Sequence, residues 1–255
     1  MLRIDLQAPF ASFRPFTAGW YRSTARFLTP SAAYGLALNL AGVETRRDDG
    51  VSPMTVTRFD LPPARIALGA IGSTLQAALP TVQTIYQQLH NYPVGASGKQ
   101  RKEDTKGNKY NITPVRRELL INLRAAIVLE FPADPEIEVA IRRNLTHTHP
   151  PTMPRYGLPF VGDNNFLIDK LAIRDQPTPV FWFCRLDDST ASGTAQTSTR
   201  LTTWVDRQDM SRTQSFLFAP QRVADESIPS SAWSKIEPPV STVPSPPPSG
   251  RKKRG

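Results

Sequence analysis

Two stretches of the sequence alternate apolar and polar residues with the period of a β-strand that has one buried face. At the amino terminus, Leu2, Ile4 and Leu6 alternate with polar side chains. Further along, residues 118–131 present one apolar face over a length that suits a central strand. Its members are Leu119, Ile121, Leu123, Ala125, Ile127, Leu129 and Phe131. A first strand and a central strand are therefore predicted.

Two helices are predicted around these strands. The first runs from about Pro30 to Ala41 and is apolar on nearly every face, as expected for a buried helix. Thr29 is a suitable N-cap for it, and Gly42 supplies the left-handed residue that ends many helices. The second covers about 135–145, where a Pro after Asp marks the start and apolar residues recur at helical spacing.

The remaining segments predict further strands and one broken helix. Residues 54–68 are interpreted as two short strands separated by Pro-Pro, and 71–89 as a helix that is interrupted near Pro80 and ends at His90. An antiparallel extension is predicted over about 177–222. It consists of three short aromatic and β-branched segments, at 180–186, 199–207 and 215–220.

This order of strands and helices predicts an α+β fold of the split βαβ, ferredoxin-like type that RNA-recognition folds also use. We expect one domain over 1–225. Residues 226–255 are rich in Pro and Ser, and such a composition buries too little apolar surface to offset its ordering entropy. A disordered tail is therefore predicted there.

Charge and cysteine content narrow the class of protein. The formal net charge is +9 and the pI about 10.0, which favours an anionic partner, although the terminal Arg251, Lys252, Lys253 and Arg254 contribute four of these charges. The single cysteine, Cys184, excludes an intrachain disulfide and suits the cytoplasm.

No run of residues approaches the roughly 18 apolar residues of a membrane span, so no membrane association is expected.

Arginines and aromatic residues occur together in the loop that precedes the first helix. Cations bind phosphates, and planar side chains stack on unpaired bases, so this combination is typical of single-stranded RNA binding. We expect the arginines to contact phosphates and the two aromatic residues to stack on bases. These residues are Arg14, Arg22 and Arg26, with Trp20 and Tyr21.

A second basic segment, at 95–110, reads GASGKQRKEDTKGNKY. Long loops inside a domain are usually functional or disordered, and a solvated insertion is the alternative to an RNA-binding finger here. Aromatic and arginine neighbours favour RNA binding. The predicted contacts are Lys99, Arg101, Lys102, Lys106, Lys109, Tyr110, Arg116 and Arg117.

The sequence contains no motif of a common enzyme class: no Walker-type phosphate loop, no nucleophile elbow and no HExxH helix. His147 and His149 lack a nearby cysteine or a carboxylate at ligand spacing, so neither a metal nor a cofactor is expected. A metal-independent ribonuclease stays open, because it needs only a base, a proton donor and a cation. Side chains of those types are His90, Tyr92, Lys106, Lys109 and Tyr110.

Three segments of the chain resemble the Cas-five family of CRISPR-associated proteins. They are FRPFTAGWYRSTARFLTPSAAYGLALNLAG, RRELLINLRAAIVLEF and YGLPFVGDNNFLIDKL. The resemblance extends over most of residues 1–175, and the form of the motifs is closest to the Myxococcus-type branch. The last segment is similar to the family's later glycine-containing loop.

The resemblance implies a RAMP fold and a place in the type I Cascade complex. Members bind the 5′ handle of the CRISPR RNA, cap the backbone, and contact the first backbone subunit and the large subunit, so that target DNA is engaged indirectly. The basic segment, with its flanks at about 91–114, would correspond to the family's thumb-like insertion.

Two alternatives to this role stay open. One branch of the family cleaves precursor RNA, but this sequence lacks that branch's Lys-His dipeptide, so a non-catalytic subunit is the prediction and a processing endoribonuclease the alternative. A general RNA-binding protein outside CRISPR is the third hypothesis.

Overall fold

The computed structural model describes residues 1–15, 21–47, 56–93, 110–146, 157–175, 178–186, 197–206, 209–223 and 227–238, and of residues 88–93 and 110–114 the backbone alone. In chain order the strands are β1 (Leu2–Ala11), β2 (Tyr21–Arg22), β3 (Arg46–Arg47), β4 (Val56–Thr57), β5 (Ala64–Ile71), β6 (Thr81–Pro93), β7 (Tyr110–Glu130), β8 (Lys170–Ile173), β9 (Val180–Arg185), β10 (Thr199–Trp204), β11 (Gln214–Arg222) and β12 (Trp233–Ile236). The helices are α1 (Pro30–Ala41), α2 (Leu75–Ala78) and α3 (Glu136–Thr146).

The centre of the fold is an antiparallel sheet in which β5, β7, β1 and β8 are neighbours in that order. Helices α1 and α3 follow β1 and β7, pack on each other and bury their apolar residues in the same core. Asn144 of α3 joins them by donating a 2.8 Å hydrogen bond to the carbonyl of Leu40. This α+β order is that of the split βαβ, ferredoxin-like arrangement.

Helix α1 begins and ends where its local sequence predicts. The Thr29 hydroxyl accepts a hydrogen bond from the backbone N–H of Ala32 at 3.2 Å, and proline occupies the first turn. Gly42 ends the helix in the left-handed conformation, with φ +78°. The Thr29 cap and the Gly42 terminus are therefore confirmed.

Both faces of the sheet are buried over β5, β9 and the second half of β7. On the helix side lie alternate residues such as Ile66, Ile127 and Phe183. On the opposite side, Trp182 and Val128 pack in a second core that Ala232 covers. The face of the sheet opposite the helices is therefore filled in this region.

Strands β9, β11 and β10 extend the sheet beyond β5 in antiparallel pairings, as predicted for the carboxy-terminal segments. The short strands β3 and β4 form a separate two-stranded sheet. Among the helices in the described ranges, none has the length and apolar character that crossing a bilayer requires.

Strand β7 is longer than its predicted core. Its second half pairs with β1 and β5, and its first half pairs with β6 and, in parallel, with β2. We call β2, β6 and the first half of β7 the arm. Pairing of β6 with β7 continues to Pro93 and Tyr110. Residues 94–109, which carry the basic segment, lie outside the described residues.

The predicted single apolar face of β7 is wrong at one point. Asn122 has φ +59°, a conformation that asparagine tolerates better than most residues. It interrupts the alternation, so that Leu120 and Leu123 both lie in the helix-side core. Ile121, which was predicted on that face, is only half-buried.

Two other predictions are corrected. Residues 71–89 do not form a long helix: only α2 is helical, and β6 follows because its β-branched and aromatic residues pair with β7. His90 accordingly lies in a strand. Residues 227–238 are not a disordered tail, because β12 pairs with β5 and buries Ile236 completely. The tail prediction for 239–255 falls outside the described residues.

Candidate nucleic-acid interface

The arginine-bearing loop returns to the sheet through β2, which fixes two residues against β7. Tyr21 lies opposite Arg116, and Arg22 lies opposite Arg117. Successive side chains of a strand point to opposite faces, and directly opposed residues share a face. One side of the arm therefore carries Arg22 and Arg117, and we call it the arginine face. The other side, the tyrosine face, carries Tyr21 and Arg116.

Glu118 anchors the loop to β7. Its buried carboxylate accepts hydrogen bonds from the Tyr21 hydroxyl at 2.5 Å and from the backbone N–H of Thr24 at 3.0 Å. The Thr24 hydroxyl accepts a 2.8 Å hydrogen bond from the backbone N–H of Phe13, which closes the base of the loop. The bond to Glu118 is the main cause that raises the pKa of Tyr21. The loop that carries Arg14 and Arg22 is therefore bonded to β7 and closed at its base.

Arg117 is the buried member of the arginine face. Its side chain is 4% exposed and donates a 2.6 Å hydrogen bond to the Asp163 carboxylate. A second N–H donates to Gln87 at 2.9 Å, and the guanidinium lies 5.0 Å from the centroid of the Phe166 ring. Its buried Nε has no hydrogen-bond partner among the described residues. Arg117 was predicted as an RNA contact, and in the structure its side chain is buried by these interactions.

The carboxylate of Asp163 is placed by a tight turn in the glycine-containing segment. Gly162 has φ +84°, and a Cβ there would lie 1.9 Å from the carbonyl oxygen of Ser12, so this close approach requires glycine. The backbone N–H of Ser12 donates a 3.3 Å hydrogen bond to the carbonyl of Val161. Two segments that are far apart in the sequence therefore meet beneath the arginine face.

Like charges converge on the arginine face. Burial, then the charges of Arg117 and Arg22, lower the pKa of Arg14, whereas Asp163 raises it. An arginine nevertheless keeps its charge at neutral pH. Burial raises the pKa of Asp163, but the hydrogen bond from Arg117 and the nearby arginine charges outweigh it and lower the pKa. Asp163 acts on Arg117 and Arg14, and Arg22 adds a further positive charge beside Arg14. This excess of positive charge favours a bound anion.

The structure brings together some of the predicted site residues and separates others. Exposed Arg14 and half-exposed Arg22 share the arginine face with Arg117. Tyr21 and Arg116 are exposed on the tyrosine face, where the charge of Arg26 also acts on the Tyr21 hydroxyl. Tyr110 begins β7, and its side chain is not described. Outside the described residues lie Trp20, Lys99, Arg101, Lys102, Lys106 and Lys109.

Sequence reasoning missed three residues of this region. The carboxylate of Asp163 pairs with Arg117, and the carboxylate of Glu118 anchors the arginine-bearing loop. Tyr86 of β6 lies opposite Arg116 and is 71% exposed. Tyr86 was not predicted to lie on a strand, because its segment was interpreted as a helix. The one local feature of the sequence that indicates a special role for Asp163 is its position directly after a glycine in a loop.

The residues considered for a ribonuclease do not form a described site. The side chains of His90, Tyr92 and Tyr110 are not described, and Lys106 and Lys109 lie outside the described ranges. In the part of the chain that the structure describes, no three His, Cys, Asp or Glu side chains are placed to share a metal ion.

The fold has a counterpart among solved structures. One chain from a solved structure of a CRISPR RNA-guided surveillance complex aligns with 87% of this chain and 90% of its own length, at a TM-score of 0.52 and 12% identity. A structure described as a Cas protein aligns with 86% of this chain and 95% of its own, at a TM-score of 0.36 and 12% identity. No protein-family model matches the sequence, and no curated protein is similar to it. At this identity the likeness is one of fold: the chain shares the fold of a subunit found in an RNA-guided surveillance complex.

Proposed function

We propose that this protein is a non-catalytic subunit of a type I CRISPR Cascade complex, of the Cas-five family and its Myxococcus-type branch. In this role it binds the 5′ handle of the CRISPR RNA, caps the backbone and contacts the large subunit. The observation that carries the proposal is the arginine face itself: Arg22 lies opposite Arg117 in register, and the charges of both arginines act on Arg14. The shared fold supports the same assignment.

The arginine face suits a phosphate of single-stranded RNA. Mutual repulsion between Arg14, Arg22 and Arg117 disfavours their approach in the free protein, and a bound phosphate relieves that repulsion. Guanidinium groups also match phosphate oxygens in geometry. Backbone binding without base reading fits a complex in which the guide itself reads the target by base pairing.

The experiment measures RNA binding by the full-length double variant Arg14→Glu/Arg22→Glu. The probe is a single-stranded RNA that copies the repeat-derived handle, titrated at several salt concentrations. We expect an affinity at least about tenfold weaker and a shallower salt dependence, by about 0.7 in slope for each phosphate that is no longer neutralised. The matched control is Arg200→Glu/Arg212→Glu, which changes the net charge equally at two exposed positions of the carboxy-terminal extension.

Three results would contradict the proposal. An equally weakened affinity in the control pair would show that only net charge matters. Unchanged retention of guide RNA by a Cascade complex that contains the Arg14→Glu/Arg22→Glu variant would exclude the arginine face as the handle site. Cleavage of repeat RNA by purified wild-type protein in EDTA would favour the endoribonuclease in place of the non-catalytic subunit.

A further inference from the structure

A row of three exposed side chains crosses the tyrosine face of the arm. Tyr21 of β2 and Tyr86 of β6 are both register partners of Arg116 in β7. Directly opposed residues of neighbouring strands share a face. The arm therefore presents the sequence Tyr21, Arg116, Tyr86 from one edge to the other, and we call these three residues the tyrosine row.

Core packing does not account for the row. The Tyr86 residue is 71% exposed and Tyr21 is 47% exposed, and Arg116 is exposed between them. Large aromatic side chains stabilise a fold mainly by burying their surface. These rings leave much of that surface in water, so their presence points to a ligand.

Hydrogen bonds hold the side chains of the tyrosine row in place. Arg116 Nε donates a 3.0 Å hydrogen bond to the Tyr86 hydroxyl, and its guanidinium carbon lies 5.4 Å from the centroid of that ring. At the other end, the Tyr21 hydroxyl is bonded to Glu118 at 2.5 Å. Anchored rings lose little rotamer freedom when a ligand binds, which favours affinity.

The rest of the molecule limits where bases can stack. Over β5, β9 and the second half of β7, the sheet face opposite the helices is filled by Trp182 and the segment around Ala232. Other RNA-binding sheets use this face for stacking. The arginine face lies on the other side of β2 from the tyrosine row. Tyr21 and Arg22 are adjacent residues, so an RNA strand that crosses β2 can reach both faces.

We infer that Tyr21, Arg116 and Tyr86 form a stacking site for unpaired bases of single-stranded RNA, separate from the phosphate site on the arginine face. The inference rests on the proposed function, because it requires RNA to reach the arm. Aromatic stacking tolerates any base and is supported by a neighbouring arginine through cation–π contact. A protein partner that uses the same tyrosines and arginine is the competing occupant.

The test uses the full-length protein and two RNA probes of equal length. One probe is a single-stranded RNA with 2-aminopurine in place of one base, and the other carries abasic sites throughout. The variant is Tyr86→Leu, which keeps an apolar side chain but removes the ring at an exposed position. Tyr86→Phe is its control, because it keeps the ring and removes only the hydroxyl.

We expect Tyr86→Leu to weaken binding of the base-bearing RNA about tenfold and to reduce the quenching of 2-aminopurine fluorescence. Tyr86→Phe should bind within about twofold of wild type, because stacking needs the ring and not the hydroxyl. Binding of the abasic RNA should be unchanged in both variants, since its phosphates meet the arginine face.

Each remaining outcome overturns the inference. Equal binding of base-bearing RNA by wild type and Tyr86→Leu would exclude stacking, while the phosphate site would still stand if Arg14→Glu/Arg22→Glu binds neither probe. Failure of wild type to bind either probe would overturn the proposed function together with the row. Failure of Tyr86→Leu to assemble with other subunits, with RNA affinity unchanged, would assign the row to a protein partner.

Discussion

Arg117 and Asp163 form a buried ion pair that joins the central strand to the glycine-containing turn. The guanidinium donates a 2.6 Å hydrogen bond to the carboxylate, and the two side chains are 4% and 13% exposed. The same arginine also bonds Gln87 of β6. Three parts of the chain therefore meet at one guanidinium, which is buried from solvent.

Removal of the carboxylate should destabilise the protein strongly. Asp163→Asn leaves the buried charge of Arg117 without its counterion, which costs about 3–5 kcal/mol of unfolding free energy. The double variant Arg117→Met/Asp163→Leu should recover part of this stability, because it leaves no unpaired buried charge. Chemical denaturation of the wild type, the single and the double variants measures both effects. A double variant less stable than Asp163→Asn would contradict the assignment of the cost to the orphaned charge.

The same pair predicts a pH dependence. Hydrogen bonding and nearby arginines hold the pKa of Asp163 below its ordinary value of 3.8, so the pair contributes stability above that value and loses it as pH falls through the lowered pKa. The difference in unfolding free energy between wild type and Asp163→Asn should be constant from about pH 5 to 8 and shrink below about pH 4. A difference that shrinks already near neutral pH would show that another group is responsible.

Gly162 and Gly157 form a matched pair for the turn. Both have positive φ, but a Cβ at Gly162 would meet the carbonyl of Ser12, whereas at Gly157 no atom of the described residues lies within 4 Å. Gly157→Ala should cost about 1 kcal/mol, from backbone strain alone. Gly162→Ala should cost more, about 3 kcal/mol, because the turn must also move away from β1. Thermal or chemical unfolding compares them, and equal costs would exclude the close approach to Ser12.

Two truncations test the role of β12. Removal of residues 226–255 takes away the partner of β5 and exposes the second core, including Trp182. Burial of Ile236 alone is worth about 1.5–3 kcal/mol, so this variant should be at least about 3 kcal/mol less stable. Removal of residues 239–255 keeps β12 and should leave the unfolding midpoint unchanged. Equal stability of the two truncated proteins would show that β12 contributes nothing.

Gly35 offers a stabilising substitution. It lies on the exposed side of α1, and a Cβ there would have no atom within 4 Å in the part of the chain that the structure describes. Glycine inside a helix costs about 0.5–1 kcal/mol relative to alanine. Gly35→Ala should therefore raise the unfolding free energy by that amount, measured by chemical denaturation. A destabilised variant would mean that the space beside Gly35 is occupied in the folded protein.

Elements with local determinants were predicted well. Helix α1 carries its own cap in Thr29 and its own terminus in Gly42, so its bounds follow from neighbouring residues. Strand β1 shows the alternation of one buried face, and the second half of β7 is a central strand of the sheet, as its length and apolar residues predict. These features need no knowledge of distant contacts.

Two segments were predicted wrongly because their structure depends on pairing with strands that are distant in the sequence. Residues 81–89 were predicted as part of a helix, but pairing with β7 makes them a strand. The Pro- and Ser-rich composition of residues 226–255 predicted disorder for the whole segment. Trp233 and Ile236 nevertheless belong to a strand that pairs with β5. In both cases the stabilising partner lies far away in the chain, where local propensity carries no information.

The candidate interface was likewise predicted only in part from the sequence. Composition by itself determined that arginines and aromatic residues of the first loop and of β7 are suited to RNA, because charge and planarity belong to the side chains. Only the tertiary structure decided that Arg117 is buried against Asp163, that Tyr86 joins Tyr21, and that the two groups occupy opposite faces of one arm. The physical reason is that the face and burial of a strand residue depend on register with strands far away in the sequence.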